Sequence, residues 1–320
     1  MSELAEFAQN EHLLLRRKSG HPLTPVMYPS ACDRLYDVRA VICDVYGTLI
    51  DYWREEFDDP KGKVTTLQES FRVVAGKFGM TDALLAASPD DPPEKTLSDF
   101  YHGLIALKHE QAARKGVEHP EIIIEEIWEF IIKLLERHGY TCGDRARTRE
   151  VARRIAWFYN GHSLGRVLYP GVVEAISMLK KGGIIFGIVS NAQFYTPVDL
   201  TLLIREQSNG RFDDFFELFD VDLTFFSYEY QVAKPDQLLF RKLYDALYEY
   251  QILPSQTVFV GNDLAIDIAP AQQAGMKTAL FTGDECSTFL HDLDGTVVPD
   301  ITFSAWAELT DKLSFHAEGT

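Results

Sequence analysis

The sequence predicts an α/β protein: a parallel sheet with helices on both faces, interrupted by a long all-helical insertion. Three observations predict it. Short, near-continuous apolar runs at Ala40–Cys43, 184–189 and 257–260 read as buried parallel strands. From Pro170 onward such runs alternate with helical-period segments, the rhythm of a sheet wound with crossover helices. Between about residues 55 and 165 the period is helical throughout, and no strand candidate interrupts it.

The elements follow in chain order. Residues 1–38 read as an extension, with an amphipathic helix over 4–17 carrying Leu13, Leu14 and Leu15, then an irregular stretch set by Pro22, Pro25 and Pro29. Two uses are open for it: packing on the main body, or forming a homodimer interface. The first strand, Ala40–Cys43, ends abruptly in Asp44, and Gly47 marks the turn beyond. Helices are expected over 66–78, 98–115, 121–137 and 148–159, with a proline-rich acidic loop over 87–93. Then come a helix over 171–181, a strand over 184–189, a mixed strand candidate over 219–226 and a helix over 236–250. A strand over 257–260, a helix over 268–274 and short strands at Lys277–Phe281 and Ile301–Phe303 complete the pattern. The domains so defined are a core of residues 39–54 and 166–320 and a helical insertion of 55–165.

Composition excludes several functions. The 320-residue chain is 46% hydrophobic and 25% charged, which suits a globular fold of two domains. Its net charge of −17 argues against a nucleic-acid partner, because phosphate backbones call for a basic face. A small anionic substrate is still compatible, since a few local donors override the global field. No apolar run approaches membrane-spanning length, and the first nine residues, with Glu3 and Glu6, do not read as a secretory signal. Cys32, Cys43, Cys142 and Cys286 form no CxxC pair and read as free thiols of a reducing cytoplasm.

Four spots stand at predicted strand ends or in adjoining loops: Asp44, Ser190-Asn191, Lys234-Pro235, and Asp263 with Asp267. Parallel strands bring such spots to one edge of a sheet. In this order, and with a helical insertion between the first and second, they resemble the haloacid dehalogenase superfamily of hydrolases. The resemblance covers about residues 39–54 and 166–310. It implies a Rossmann-like core and makes the insertion a cap domain, hinged near residues 50–53 and 168–171 and closing over the site. Asp44 would be the nucleophile that forms a covalent ester. Thr48 would hydrogen-bond the substrate or Asp44, Ser190 would bind the substrate anion, and Asn191 would sit beside it or order the neighbouring loop. Lys234 would hold nucleophile and substrate together with its ammonium. Asp44, Asp263 and Asp267 would ligate Mg²⁺, which binds through few carboxylates and a substrate phosphate. Asp263 reads equally as a turn residue and Asp267 as a helix cap, and the sequence leaves open whether Asn262 or Asp263 faces the metal.

The pattern breaks at Tyr46. Phosphatases of this family carry there the acid that protonates the leaving group, and a phenol with a pKa near ~10 is a poor base at neutral pH. Asp44-Val45-Tyr46-Gly47-Thr48-Leu49 looks like the 2-haloacid dehalogenase branch, in which the aspartate displaces halide from carbon. Against that branch, Phe240 stands where its members carry a tyrosine, and Gly261-Asn262-Asp263 differs from their fourth motif. That branch holds carboxylate and halide with a cap arginine, and of Arg54, Arg72, Arg114, Arg153 and Arg154 none falls in a matching motif. Three readings follow. A magnesium-dependent hydrolase of a small phosphorylated substrate leads, its missing acid supplied by the substrate or by His102, His109 or Glu110. A metal-independent 2-haloacid dehalogenase comes second, and a low-turnover binding or regulatory protein third. Tyr101, Trp128, Trp157 and Phe158 read as the insertion's own core in preference to a pocket lining.

Overall fold

The computed structural model describes residues 3–15, 21–143, 147–293 and 295–315. The chain divides into two compact units, one of residues 1–21 and 53–166 and one of residues 22–52 and 167–320.

The first unit is helical: α1 (Glu3–Leu15), α2 (Pro60–Lys77), α3 (Thr81–Ala87), α4 (Pro93–Arg114), α5 (Ile124–Glu136) and α6 (Thr148–Ser163). Asp59 caps α2, accepting from the amides of Lys61 and Gly62, with Pro60 in the first turn. Buried positions recur at helical spacing, Phe71, Val74 and Ala75 on α2 and Ile127, Trp128, Ile131, Ile132 and Leu135 on α5. The core they build is aromatic. Phe71 stacks on Tyr159 at 4.5 Å, and Tyr101 lies 5.3 Å from Trp128 and 5.2 Å from Tyr159. The N-terminal extension is not one piece: α1 belongs to this unit, with Phe7 edge-on to Trp157 at 5.9 Å and Glu3 paired to Arg147 and Arg154, while residues from Pro22 on belong to the other. Arg16 and Arg17 of the expected helix lie outside the described residues. α3 was not expected, and α2 and α4 begin earlier than the sequence suggested because their prolines stand in the first turn rather than before it.

The second unit is α/β. Its strands are β1 (Leu35–Val38), β2 (Ala40–Cys43), β3 (Ile50–Asp51), β4 (Val167–Leu168), β5 (Ile185–Ser190), β6 (Thr224–Phe226), β7 (Thr257–Gly261), β8 (Lys277–Phe281), β9 (Ile301–Phe303) and β10 (Leu313–Phe315). Its helices are α7 (Val172–Lys181), α8 (Thr196–Gln207), α9 (Ser227–Tyr230), α10 (Gln237–Glu249), α11 (Ala269–Gln273) and α12 (Trp306–Lys312). Six strands form one parallel sheet in the order β6-β5-β2-β7-β8-β9. β2 alternates across it: Val41 and Cys43 pack into a core with residues of α7, α8 and α12, and Ala40 and Ile42 into a second core with residues of α10 and α11. Helices therefore cover both faces. β2 is central, and the chain leaves it for β5 on one side and later returns to β7 on the other. The carboxyl ends of these three strands flank the point where strand order reverses, the place where open α/β sheets bind ligands. The strand candidate over 219–226 shortens to β6, because Val221–Leu223 form a 3-10 turn capped by Asp220.

Candidate active site

Asp44 follows β2 directly, and its amide donates to Val260 O at 2.9 Å, so the chain leaves the sheet in register with β7. Gly47 turns the loop at φ +83°, and a Cβ there would lie 2.3 Å from Asn262 Nδ2, so two loops meet at a position only glycine fills. Lys234 Nζ donates to Asp44 Oδ1 at 2.7 Å and to Asp267 Oδ1 at 2.5 Å. All three are buried, and the ammonium lies 5.5 Å from the centre of the Phe259 ring. Burial alone would lower the Lys234 pKa, but the charges of Asp267 and Asp44 outweigh it and hold the ammonium above its ordinary value. Burial drives the Asp267 carboxyl up to about 7, against the pull of Lys234 and with the repulsion of Asp44. Asp44 Oδ2 has no hydrogen-bond partner among the described residues.

The second strand end supports the lysine. Asn191 donates from Nδ2 to Lys234 O at 3.1 Å and accepts the Lys234 amide on Oδ1 at 2.6 Å. Its side chain thus clamps the lysine backbone, in keeping with a loop-ordering role more than with direct contact to a substrate. Ser190 is fully buried at the end of β5, and among the described residues its hydroxyl makes one long bond, 3.5 Å to Asn191 O.

The acidic motif is tied to its own backbone. The Asp267 side chain tucks against Gly261, where a Cβ would come within 2.4 Å, and Oδ2 accepts the amides of Asn262 and Asp263, each at 3.2 Å. Asp263 caps the single π-helical turn Leu264–Ile268, accepting from the amides of Ala265 and Ile266, and both its oxygens lie 2.9 Å from His291 Nε2. Thr48 is fully buried and donates to Asn262 Oδ1 at 2.9 Å, and Asn262 donates from Nδ2 to Ser287 O at 2.6 Å. Asn262 therefore faces the first loop and Asp263 faces its own helix and His291. The carboxylates of Asp44, Asp263 and Asp267 do not gather within 4.8 Å of one another. The three carboxylates expected to hold Mg²⁺ do not converge as a trio: one oxygen of Asp44 is free, Asp267 is bonded on both oxygens, and Asn262 is a neutral amide bonded at both ends.

Tyr46 bonds Thr196 Oγ1 through its hydroxyl at 2.9 Å, and its ring stands edge-on to Tyr52 at 6.4 Å. The Tyr52 phenol is kept protonated by burial and then by the charges of Asp44, Asp284, Asp263 and Asp51. Thr196, Tyr52 and His291 went unnoticed in the sequence, since lone hydroxyls and a lone histidine carry no motif. The site unites Asp44, Lys234 and Asp267, ties Thr48 to Asn262, and places Asn191 behind the lysine.

A doubly wound parallel sheet with a buried lysine-bridged acid pair at its switch point defines an α/β protein with a Rossmann-like core and a polar site at its strand ends. A family model for haloacid dehalogenase-like hydrolases matches residues 38–275, and the chain belongs to that family. No curated protein matches the chain. Among solved structures it is similar to a 2-haloacid dehalogenase of Pseudomonas syringae pv. tomato DC3000, with TM-score 0.52 and 19% identity over 86% of this chain and 97% of that one. It is also similar to a HAD phosphatase of Thermococcus onnurineus, with TM-score 0.47 and 16% identity over 86% and 97%. At 19% identity and TM-score 0.52 the likeness to the dehalogenase is one of fold alone.

Proposed function

We propose that the protein hydrolyses a short 2-haloacid-type carboxylate through a covalent ester on Asp44, without a metal ion. Asp44 Oδ2 attacks the halogen-bearing carbon. The carbon–halogen bond breaks, halide leaves with its electron pair, and an ester forms. Water then adds to the ester carbonyl and gives its proton to Asp267. Cleavage expels the alkoxide, which takes the proton of the new Asp44 carboxyl, so the Asp44 carboxylate is restored, a 2-hydroxy acid is released, and the proton on Asp267 passes to solvent. Lys234 orients Asp44 through Oδ1 and offsets the charge of two neighbouring carboxylates. Asp267, with its carboxyl near 7, is matched to taking a proton at neutral pH. Ser190, at the adjoining strand end, is assigned to the substrate carboxylate.

The observation that carries this reading is the Asp44–Lys234–Asp267 bridge: a buried ammonium supplies the positive charge between the two carboxylates. Displacement of halide also requires no leaving-group proton, which agrees with a tyrosine at position 46. The test is halide release from chloroacetate and 2-chloropropionate with a chelator present, run beside phosphate release from a phospho-ester panel with magnesium. Chelator-insensitive halide release is expected. Magnesium-dependent phosphate release without halide release would overturn the reading and restore the phosphoryl alternative, and silence in both assays would point to the binding protein.

A further inference from the structure

We infer that the outer face of α10 is a dimerisation surface, and that its occupant is the same helix of a second copy of this chain, laid antiparallel to it. α10 buries Leu239, Phe240, Leu243 and Leu247 on its inner side. Outside, Tyr244 is 51% and Tyr248 75% exposed, and Leu253 just past the helix is 61% exposed. Tyr248 and Leu253 also help to line a surface groove of about 490 Å³. Arg241, Lys242, Asp245 and Glu249 are exposed on the same helix, and among the described residues none of their side chains makes an ion pair or hydrogen bond. Charges at that spacing do pair elsewhere: Lys95 meets Asp91 and Asp99, and Arg114 meets Glu110. The order of charge in α10 also opposes the helix dipole, which favours acids near the amino end and bases near the carboxyl end. A helix standing alone gains nothing from this pattern. Across a twofold axis it becomes self-complementary, because the basic half of each copy lies beside the acidic half of the other. Parallel pairing would set like charge against like, and a partner of one sign would leave half of the charges unmatched. The tyrosines supply ring surface beside those pairs, as interfaces commonly do. The face is one helix of 13 residues, and chains of net charge −17 repel at long range, so the dimer is a weak one.

Sedimentation velocity of the full chain is expected to show a concentration-dependent dimer with a Kd on the order of 10 µM. Arg241→Glu with Lys242→Glu makes the charged positions of the helix all acidic, and should give a monomer. Asp245→Lys with Glu249→Lys makes them all basic, and should also give a monomer, although it lowers the net charge and with it the long-range repulsion. Mixed together, the two double variants should form a heterodimer, since each acidic helix then faces a basic one. Tyr248→Ala should weaken the dimer about tenfold. These positions make no ion pair or side-chain hydrogen bond within the chain, so circular dichroism and melting temperature should match the parent. A parent that stays monomeric up to about 200 µM, a dimer that survives either double variant, or a mixture that stays monomeric would each overturn the inference. None of these readouts involves turnover, so they stand or fall separately from the reaction proposed above.

Discussion

The two units place charge differently. In the helical unit, ion pairs lie mostly along helix surfaces, such as Lys95 with Asp91 and Asp99, or Arg114 with Glu110, while the core is rings and aliphatics. Charge is buried there too, but in pairs that reach the surface: Arg54 meets Glu56 and His162 O at 2.7 Å, and the buried Glu125 meets Arg149 and Arg153. In the α/β unit an ammonium and two carboxylates are buried together at the end of the central strands, and one carboxylate oxygen is left open. Exposed pairs add little to stability, whereas a buried, incompletely satisfied cluster is expensive and persists where it has a task. Charge placement thus separates scaffold from site.

That contrast can be broken by mutation. Asp44→Asn should lower turnover by at least roughly 10⁴-fold while the protein stays folded, since Asp44 Oδ2 is the unbonded carboxylate oxygen of the lysine-bridged pair among the described residues. Turnover assays with circular dichroism check this, and retained activity would refute the nucleophile. Lys234→Met should abolish turnover and also destabilise by about 3–5 kcal/mol, because two buried carboxylates lose their shared cation. Denaturant titration at pH 8 and pH 6 would show the penalty shrinking at the lower pH, as Asp267 takes up a proton. In the helical unit, Phe71→Ala should cost about 3–5 kcal/mol through the cavity left against Tyr159. Lys95→Ala, by comparison, should leave the melting temperature unchanged.

The acid pair also sets a pH dependence. The folded Asp267 carboxyl lies near 7, against an ordinary 3.8. Between those values the folded state keeps a proton that the unfolded chain has released, so this group's contribution to stability falls as pH rises through that window. Ester hydrolysis, which uses the ionised form, should rise with pH about a midpoint near 7. Single-turnover rates against pH check this, and Asp267→Asn should abolish the rising limb.

Much of this architecture could be read from the residues. Ala40–Cys43 and the run beginning at Thr257 are wholly buried strands, and uninterrupted apolar residues bounded by an acid or a glycine announce such strands directly. α8 escaped notice, though Leu200, Leu203 and Ile204 bury one face of it, because Pro197 reads as a turn until it is seen in the first helical turn. The site's residue types were visible, but its pairings were not. Asn262 with Thr48, Asn191 with the Lys234 backbone and Tyr46 with Thr196 each join residues far apart in the chain. An amide or hydroxyl can satisfy many partners, so spacing alone does not choose among them. The magnesium trio illustrates the point: Asp263 and Asp267 suggested ligands in sequence, yet one caps a helical turn and the other holds a lysine.

The central claim is that Asp44 itself becomes bonded to the substrate. A single turnover of 2-chloropropionate in ¹⁸O-water, with enzyme in excess, tests it most directly. The account predicts a 2-hydroxypropionate product with unlabelled oxygen and ¹⁸O incorporated into the Asp44 side chain, read by peptide mass spectrometry. Label in the first-turnover product, with Asp44 unlabelled, would show direct attack by water and contradict it.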